Sequence, residues 1–253
     1  MGNRTERRNI MYSFNSRVRY SELNHKTEAL SCSSIINYFQ DCSTFQSEDL
    51  NRGLTYLQSS HRVWLLNAWH LKILQPAVLG QAITLGTWPH AFEGAYGYRN
   101  FIMETPEKEV LAVADSIWIY VDTQTGRPTR IPKDYAITSG YGMSTRYPME
   151  LMNRKIEMPG DYKVHPAIEV KRSNIDSYNH VNNGQYIKIA EEYLPVNYIV
   201  SSLRVEYRAQ AVEGDILIPL VTNEKDSITI TLANSAYQPY ALVAFSGNYA
   251  DLV

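Results

Sequence analysis

The sequence predicts an α+β protein built from two tandem units, each an antiparallel sheet wrapped around one central helix. An amphipathic helical segment followed by several β-rich segments occurs twice along the 253 residues. One such helix cannot cover both faces of a four-stranded sheet. We therefore expect each sheet to wrap around its own helix and the two units to pack together as a pseudo-dimer.

The first unit begins with a predicted helix over residues 31–49. Its apolar residues recur at spacings of three and four, as on one buried helical face. They are Ile35, Tyr38, Phe39, Cys42 and Phe45. The β-rich segments that follow are bounded by turns and predict strands over residues 63–74, 82–88, 98–103 and 110–121.

The second unit repeats this order of elements. A helix is predicted over residues 181–193, and the strands at 168–170, 199–207, 216–221, 228–233 and 240–249. The segment Val18–Ser21 before the first helix matches Val170–Ser173 before the second. The predicted domains are therefore residues 10–132 and 161–253, joined by an irregular connector over residues 133–160.

Composition and charge exclude several classes of protein. With 44% hydrophobic and 20% charged residues, disordered, collagen-like and coiled-coil chains are disfavoured, and a net charge of −2 gives no general attraction to nucleic acid or anionic membranes. Met1–Asn9 is polar and Arg-rich, so we expect no secretory leader and no membrane anchor. Cys32 and Cys42 lie ten residues apart on one predicted helix, or about 15 Å, too far to form a disulfide. Unpaired cysteines suit the cytoplasm.

The densest polar cluster, residues 174–186, lies where a loop passes into the second predicted helix. The N–H groups of a helix start can polarise a carbonyl group or stabilise an anion. Asp176 and His180 are four residues apart, so a turn could hold a carboxylate and an imidazole on one side for acid–base chemistry. The alternative is helix capping, which accounts for Asn182 and Asn183 but not for His180.

This cluster resembles the active-site segment of hotdog-fold thioesterases, in particular the acyl-acyl carrier protein (acyl-ACP) thioesterases of bacteria and plants. The matching residues are Asp176, His180, Val181, Asn182, Asn183 and Tyr186. Motifs of the first half agree with the same family, in segments 80–89, 96–101, 114–118 and 125–130. The resemblance covers the chain from about Phe14 to Tyr249.

The resemblance implies a double-hotdog enzyme that hydrolyses the thioester between a fatty acyl chain and acyl carrier protein, which terminates fatty acid synthesis. It implies no cofactor, and it makes Asp176 and His180 the catalytic pair. When Val18 is aligned with Val170, Asn24 and Glu28 stand opposite that pair in the first repeat. We therefore expect the first repeat to shape the acyl pocket and only the second to be catalytic.

Three positions depart from the family pattern. Tyr178 stands where the family has Asn, and Asn179 could take that role if the loop shifts. Gln210 replaces a Glu of the plant enzymes; it can orient water but cannot take its proton, which leaves the Asp–His pair to supply the base. Ala211 stands where a Cys nucleophile was once proposed, so thiol chemistry is excluded. Asn182 and Asn183 would support an oxyanion at the helix start.

Five basic residues, named here the basic rim residues, are candidates for binding the acidic carrier protein. They are Arg127, Arg130, Lys133, Lys171 and Arg172. Ordinary solvated charge is the alternative. The five histidines other than His180 are scattered without the spacing of a metal site, so no metal is expected; they are His25, His61, His70, His90 and His165.

Two other functions stay open at this point. The first is an acyl-CoA thioesterase of the same fold, and the second is a non-catalytic binder of acyl chains or carrier protein. The departures at Tyr178 and Gln210 keep the second alternative open. A double hotdog is compatible with either a monomer or a homodimer.

Overall fold

The computed structural model describes residues 11–25, 27–150 and 153–250. The expectations for Met1–Asn9 therefore lie outside the described residues. The chain forms two compact units. Unit 1 holds the described residues of Met1–Leu30, Ile35–Asn67 and Leu74–Leu151, and unit 2 holds those of Ser31–Ser34, Ala68–Ile73 and Met152–Val253. The predicted boundaries at residues 132 and 161 stay a prediction.

The first half of the chain supplies six strands and three helices within the described residues. They are β1 (Tyr12–Arg17), α1 (Cys32–Asp49), α2 (Leu54–Ser59), β2 (Arg62–Ile73), β3 (Ala82–Glu93), β4 (Tyr96–Glu104), β5 (Val110–Asp122), β6 (Arg127–Pro128) and α3 (Tyr135–Thr138). A short 3₁₀ turn, Tyr20–Glu22, precedes α1. The sheet of unit 1 has the strand order β1-β3-β4-β5-β2, and β6 pairs with β5.

The second half repeats the central part of this order, which is a strand, a 3₁₀ turn, a helix and four long strands. Its elements are β7 (Lys163–Val164), β8 (Ile168–Glu169), a 3₁₀ turn (Arg172–Asn174), α4 (Asn183–Glu191), β9 (Tyr198–Tyr207), β10 (Ile216–Asn223), β11 (Ser227–Ala233) and β12 (Pro239–Tyr249). The order in unit 2 is β10-β11-β12-β9, and both β7 and β8 pair with β10. Residues 68–72 of β2 pair with β9 inside this unit. The predicted α+β class with two duplicated units is confirmed.

The duplication extends to individual backbone hydrogen bonds. The Val18 N–H donates to the Gln81 carbonyl at 3.0 Å, and the Val18 carbonyl accepts the Gly80 N–H at 3.1 Å. In the same way, the Val170 N–H donates to the Asp215 carbonyl at 2.8 Å, and the Val170 carbonyl accepts the Gly214 N–H at 3.0 Å. The match between Val18 and Val170 that the sequence predicted therefore holds at the level of hydrogen bonds.

Helix α1 buries one face against the sheet of unit 1, as its periodicity predicted. Ile36, Phe39 and Cys42 are fully buried, and the ring of Phe39 lies 5.3 Å from that of Phe101 on β4. The prediction for Phe45 was wrong, because this ring is 44% exposed and packs edge-on against Phe14 of β1. It lies at the margin of the buried face, where it contacts the edge strand.

The first residues of α1, Cys32 and Ser33, belong to unit 2 and are capped by a residue of the same unit. The Glu191 carboxylate, at the end of α4, accepts the N–H groups of Cys32 and Ser33 at 2.7 and 3.3 Å and the Ser33 hydroxyl at 2.6 Å. Burial raises the pKa of Glu191, and the hydrogen bonds from Ser33 and Cys32 oppose this rise. Both cysteines are buried and free, as predicted.

Helix α4 is shorter than the predicted range of 181–193. Val181 forms a β-bridge with Ile175, and the side chain of Asn182 caps the first turn, so the helix begins at Asn183. Strand β1 and helix α2 were not predicted, because neither has a run of buried residues; α2 buries only Leu57. Within the described residues, no helix has the length and hydropathy needed to cross a bilayer.

Candidate active site

The polar cluster folds into a tight loop just before α4. Ile175 and Val181 form an antiparallel bridge, and inside it the N–H of Asp176 donates to the carbonyl of His180 at 2.8 Å. Asn179 has a left-handed φ of 62°, a conformation that Asn adopts more readily than most residues. The loop therefore holds the backbones of Asp176 and His180 close together, and their pairing for catalysis stays a prediction.

The Asp176 carboxylate is oriented by backbone groups. Its Oδ1 atom accepts the N–H of Tyr178 at 2.8 Å and that of His180 at 3.4 Å. Across the described part of the chain, no hydrogen bond or ion pair joins this carboxylate to the His180 imidazole, and Oδ2 has no partner. One oxygen therefore holds the loop together, and the other can receive a hydrogen bond from a bound molecule.

The imidazole of His180 is partly buried. Its Nδ1 atom is inaccessible and forms no hydrogen bond with any described residue. Leaving a buried polar group without a partner costs about 1–3 kcal/mol. Such groups in folded proteins call for a specific reason, of which a catalytic role is one.

The helix start makes the contacts of a capped terminus. The Asn182 Oδ1 atom accepts the Gly184 N–H at 2.9 Å, and the Asn183 carbonyl accepts the Tyr207 hydroxyl at 3.0 Å. The side chain of Asn182 is thus used for capping, the alternative that the sequence left open. Oxyanion support by Asn182 and Asn183 stays a prediction.

The segment after β9 lies beside this loop. The Ala211 carbonyl accepts the Val181 N–H at 2.9 Å, and the Ala211 N–H donates to the Tyr186 hydroxyl at 3.0 Å. Burial raises the pKa of Tyr186 to about 12, so this hydroxyl is neutral near pH 7. Gln210, the residue before Ala211, is exposed and forms no hydrogen bond with the described residues.

Sequence reasoning missed the role of Tyr186 in holding Ala211. The signal was available in the motif, because Tyr186 lies three residues after the helix starts and its side chain is buried. The partner could not be inferred, because Tyr186 and Ala211 are 25 positions apart in the sequence. Tyr178 is half-buried, and its N–H is the closest contact of the Asp176 carboxylate.

The equivalent loop of unit 1 has a different length. Leu23 and Leu30 form its bridge, and the N–H of Asn24 donates to the carbonyl of Ala29 at 2.8 Å. The loop is thus one residue longer than that from Asp176 to His180. The alignment that put Glu28 opposite His180 was wrong, because the hydrogen bonds put Ala29 there.

The basic rim residues are all exposed, but they differ in their environment. Arg127, Arg130 and Lys133 lie on or after β6 in unit 1, and Lys171 and Arg172 lie at the 3₁₀ turn of unit 2. Lys171 forms an ion pair with Glu169. The other four form no ion pair with any residue that the structure describes.

Comparison with known proteins identifies the fold. An acyl-ACP thioesterase from Bacteroides thetaiotaomicron superposes with a TM-score of 0.81 at 17% identity, covering 95% of this chain and 99% of that one. The 12:0-ACP thioesterase from Umbellularia californica gives a TM-score of 0.83 at 16% identity, covering 95% and 98%. The fold is therefore that of a double-hotdog protein.

Sequence comparison gives the family. The model of the acyl-ACP thioesterase N-terminal domain matches residues 9–138, and that of the C-terminal domain matches residues 159–240. The chain belongs to the acyl-ACP thioesterase family.

Two curated plant proteins illustrate the distance within this family. The oleoyl-acyl carrier protein thioesterase 1 of Arabidopsis thaliana is 23% identical over 188 residues, 68% of this chain and 51% of that protein. The palmitoyl-acyl carrier protein thioesterase of Gossypium hirsutum is 24% identical over 170 residues, 63% and 41% of the two chains. The chain thus spans about half the length of the curated relatives it matches.

Proposed function

We propose that the protein hydrolyses the thioester of fatty acyl-ACP, releasing a free fatty acid and so ending its elongation. The observation that carries this proposal is the loop before α4, where Asp176 Oδ2 and His180 Nδ1 both lack partners among the described residues. A carboxylate and an imidazole are the groups that general acid–base hydrolysis uses. Membership of the acyl-ACP thioesterase family supports the carrier protein as the acyl donor.

The chemistry requires one water molecule. A proton passes from this water to Asp176 or His180 while the water oxygen bonds to the thioester carbonyl carbon. The positive end of the α4 dipole and nearby N–H groups would stabilise the negative charge that forms on the carbonyl oxygen. The carbon–sulfur bond then breaks, the electron pair stays on sulfur, and the thiolate takes a proton to give the free thiol of the carrier.

Two amide side chains could position the water. Asn179 in the loop and Gln210 in the segment after β9 are exposed, and neither side chain is hydrogen-bonded to the described residues. An amide can donate to and accept from water but cannot remove its proton. We assign them a positioning role and leave the base to Asp176 or His180.

The first repeat is proposed to shape the acyl pocket rather than to react. Its loop presents Asn24 and Ala29 at the positions of the catalytic pair, so it supplies neither a carboxylate nor an imidazole there. Apolar residues such as Phe39 and Phe101 pack between α1 and its sheet. These side chains suit a hydrocarbon chain.

Contact with the carrier protein is proposed for the basic rim residues. Arg127, Arg130, Lys133 and Arg172 are exposed and form no ion pair among the described residues, so their charges are available to an acidic partner. We also propose a cytoplasmic location, which the two unpaired buried cysteines support.

Hydrolysis of a panel of acyl-ACPs, compared with acyl-CoAs of equal chain length, tests the function. We expect release of free thiol from acyl-ACP, with a lower kcat/KM for the CoA thioesters. A higher kcat/KM for the CoA thioesters would favour the alternative that the protein is an acyl-CoA thioesterase of the same fold. Binding of acyl-ACP without hydrolysis would overturn the enzymatic assignment and favour the non-catalytic binder.

A further inference from the structure

The segment that follows β9 ends in a turn closed by a carboxylate. Asp215 Oδ2 accepts the Val212 N–H at 2.9 Å, and the Asp215 N–H donates to the Val212 carbonyl at 3.1 Å. The same oxygen accepts the Tyr240 hydroxyl at 3.0 Å. Burial and this hydrogen bond raise the pKa of Tyr240, so its hydroxyl is neutral near pH 7 and can donate. The turn directly follows Ala211, the residue that is bonded to the loop before α4.

Unit 1 contains the same turn with a neutral side chain. Gln81 Oε1 accepts the Val78 N–H at 3.0 Å, and the Gln81 N–H donates to the Val78 carbonyl at 3.1 Å. The preceding Ala77 carbonyl accepts the Leu30 N–H at 2.9 Å, as the Ala211 carbonyl does for the equivalent residue of unit 2. The backbone hydrogen bonds around the turn are therefore duplicated.

The beginning of the segment is also held in the same way in both units. The Tyr240 carbonyl accepts the N–H groups of residues 208 and 209 at 2.8 and 3.2 Å, and the Leu111 carbonyl accepts those of residues 74 and 75 at 2.8 and 3.1 Å. These hydrogen bonds align the two segments residue by residue. The equivalent pairs are Tyr240 and Leu111, Asp215 and Gln81, Tyr186 and Ile35, and Gln210 and Pro76.

Unit 1 lacks most of the polar groups that unit 2 has at these positions. Leu111 and Ile35 have no hydroxyl group, and Pro76 has no side-chain donor or acceptor. Unit 1 nevertheless forms the turn, so its backbone and one amide oxygen are sufficient for that. The additional contacts occur in the copy that holds Asp176 and His180, which favours a role in the reaction over a role in folding.

The additional contacts fix the stretch that carries Gln210. Its beginning is held by the Tyr240 carbonyl, and its end is joined to the Tyr240 hydroxyl through Asp215. Between these points, the Tyr186 hydroxyl accepts the Ala211 N–H at 3.0 Å. Fixed neighbours restrict the backbone of Gln210, whose amide is exposed and has no partner among the described residues.

We propose that Asp215 is a positioning residue, which together with Tyr240 holds Gln210 where its amide orients the attacking water. Rigid placement of such a group accelerates the chemical step, and displacement by about 1 Å can cost about 100-fold in rate. Asp215 acts only through the segment and does not touch the substrate. This inference rests on the proposed function, because it assumes that Gln210 orients that water.

Substitutions at Asp215 and at its counterpart Gln81 test the inference. Asp215→Ala removes the acceptor of both donors and should lower kcat for acyl-ACP about tenfold or more, with KM changed less than about twofold. Asp215→Asn keeps an oxygen that can accept both donors, so its kcat should stay within about twofold of wild type. The matched control Gln81→Ala removes the same turn hydrogen bond from unit 1 and should leave kcat unchanged.

A double-mutant cycle tests whether the effect passes through Gln210. In the background of Gln210→Ala, Asp215→Ala should lower kcat less than about threefold, because the group that it positions is already absent. A tenfold loss in both backgrounds would overturn the inference. An equal loss of kcat in Gln81→Ala, or in Asp215→Asn, would overturn it as well, because the first would indicate general destabilisation and the second a need for charge.

Hydrogen exchange separates this inference from the proposed function. In Asp215→Ala the N–H groups of Ala211 and Val181 should exchange about tenfold faster or more, while both should keep their wild-type rates in Gln81→Ala. The measurement requires no turnover and also shows whether the variant is folded. A wild-type protein that hydrolyses no thioester would refute the proposed function, whereas wild-type exchange in Asp215→Ala would refute the positioning role.

Discussion

The Asp176 carboxylate accepts the backbone N–H of Tyr178 at 2.8 Å, and this hydrogen bond closes the turn that carries His180. A neutral amide oxygen can accept the same hydrogen bond. The shape of the loop therefore depends on the acceptor oxygen at position 176, whereas the proposed chemistry depends on its negative charge. A single substitution separates these two roles.

We expect Asp176→Asn to keep the fold and lose activity. The Asn oxygen can still accept the Tyr178 N–H, but the amide cannot take a proton, so kcat should fall about 100-fold or more. Steady-state hydrolysis of acyl-ACP and thermal unfolding, measured side by side, check both parts. Asn24→Ala, at the equivalent position of unit 1, is the matched control and should retain full activity. Wild-type turnover by the Asp176→Asn variant would contradict the assignment.

Tyr186→Phe should affect stability and activity together. It removes the acceptor of the Ala211 N–H, and an unsatisfied buried donor costs about 1–3 kcal/mol. The Ala211 carbonyl also accepts the Val181 N–H beside His180, so kcat should fall as well. The control is Tyr20→Phe, whose side chain is 83% exposed and whose kcat should stay unchanged. Urea unfolding and steady-state kinetics measure the two effects. Unchanged stability would mean that the hydrogen bond is not needed.

Glu191→Ala should destabilise the protein through the start of α1. The substitution leaves the N–H groups of Cys32 and Ser33 without their acceptor, which should lower the free energy of unfolding by about 1–3 kcal/mol. The neighbouring Glu192 is exposed, so Glu192→Ala is the matched control. Equal free energies of unfolding for the two variants would rule out a capping role.

The pH dependence of Glu191 has a definite sign. Its folded pKa is raised above the ordinary value of 4.5, so the folded state binds this proton more tightly than the unfolded state. The stability that protonated Glu191 contributes is fully present below pH 4.5, and it is lost as the pH rises through the folded pKa. The stability of Glu191→Gln relative to wild type should therefore increase from pH 4.5 upward. Chemical unfolding over this range measures it, and a difference that is constant with pH would refute the prediction.

Charge reversal at the basic rim should weaken recognition of the carrier. The triple variant Arg127→Glu, Arg130→Glu, Lys133→Glu should raise the KM for acyl-ACP about tenfold, with no change for the small thioester acyl-pantetheine. Added salt should raise the wild-type KM and affect the variant less. Lys225→Glu alters an exposed charge in unit 2 and serves as the control. Equal effects on both substrates would argue against a docking role.

The periodicity of α1 and the repeated order of elements were enough to predict the fold. Spacing also placed Asp176 and His180 in one loop, but it could not predict that the carboxylate would bond to backbone N–H groups rather than to the imidazole. That choice depends on side-chain torsions. The contacts of Arg99 on β4 could not be predicted either, because its partners come from distant parts of the sequence. They are Gln46 of α1, Thr87 of β3 and Tyr141 after α3.

The extra residue in the loop of unit 1 has a consequence for enzyme engineering. Introducing Asn24→Asp and Ala29→His would supply the right side chains on a backbone of the wrong length. A second reaction centre in this chain would also require deletion of one residue between those positions. If only the second copy is catalytic, as proposed, point substitutions alone would not make the first copy catalytic as well.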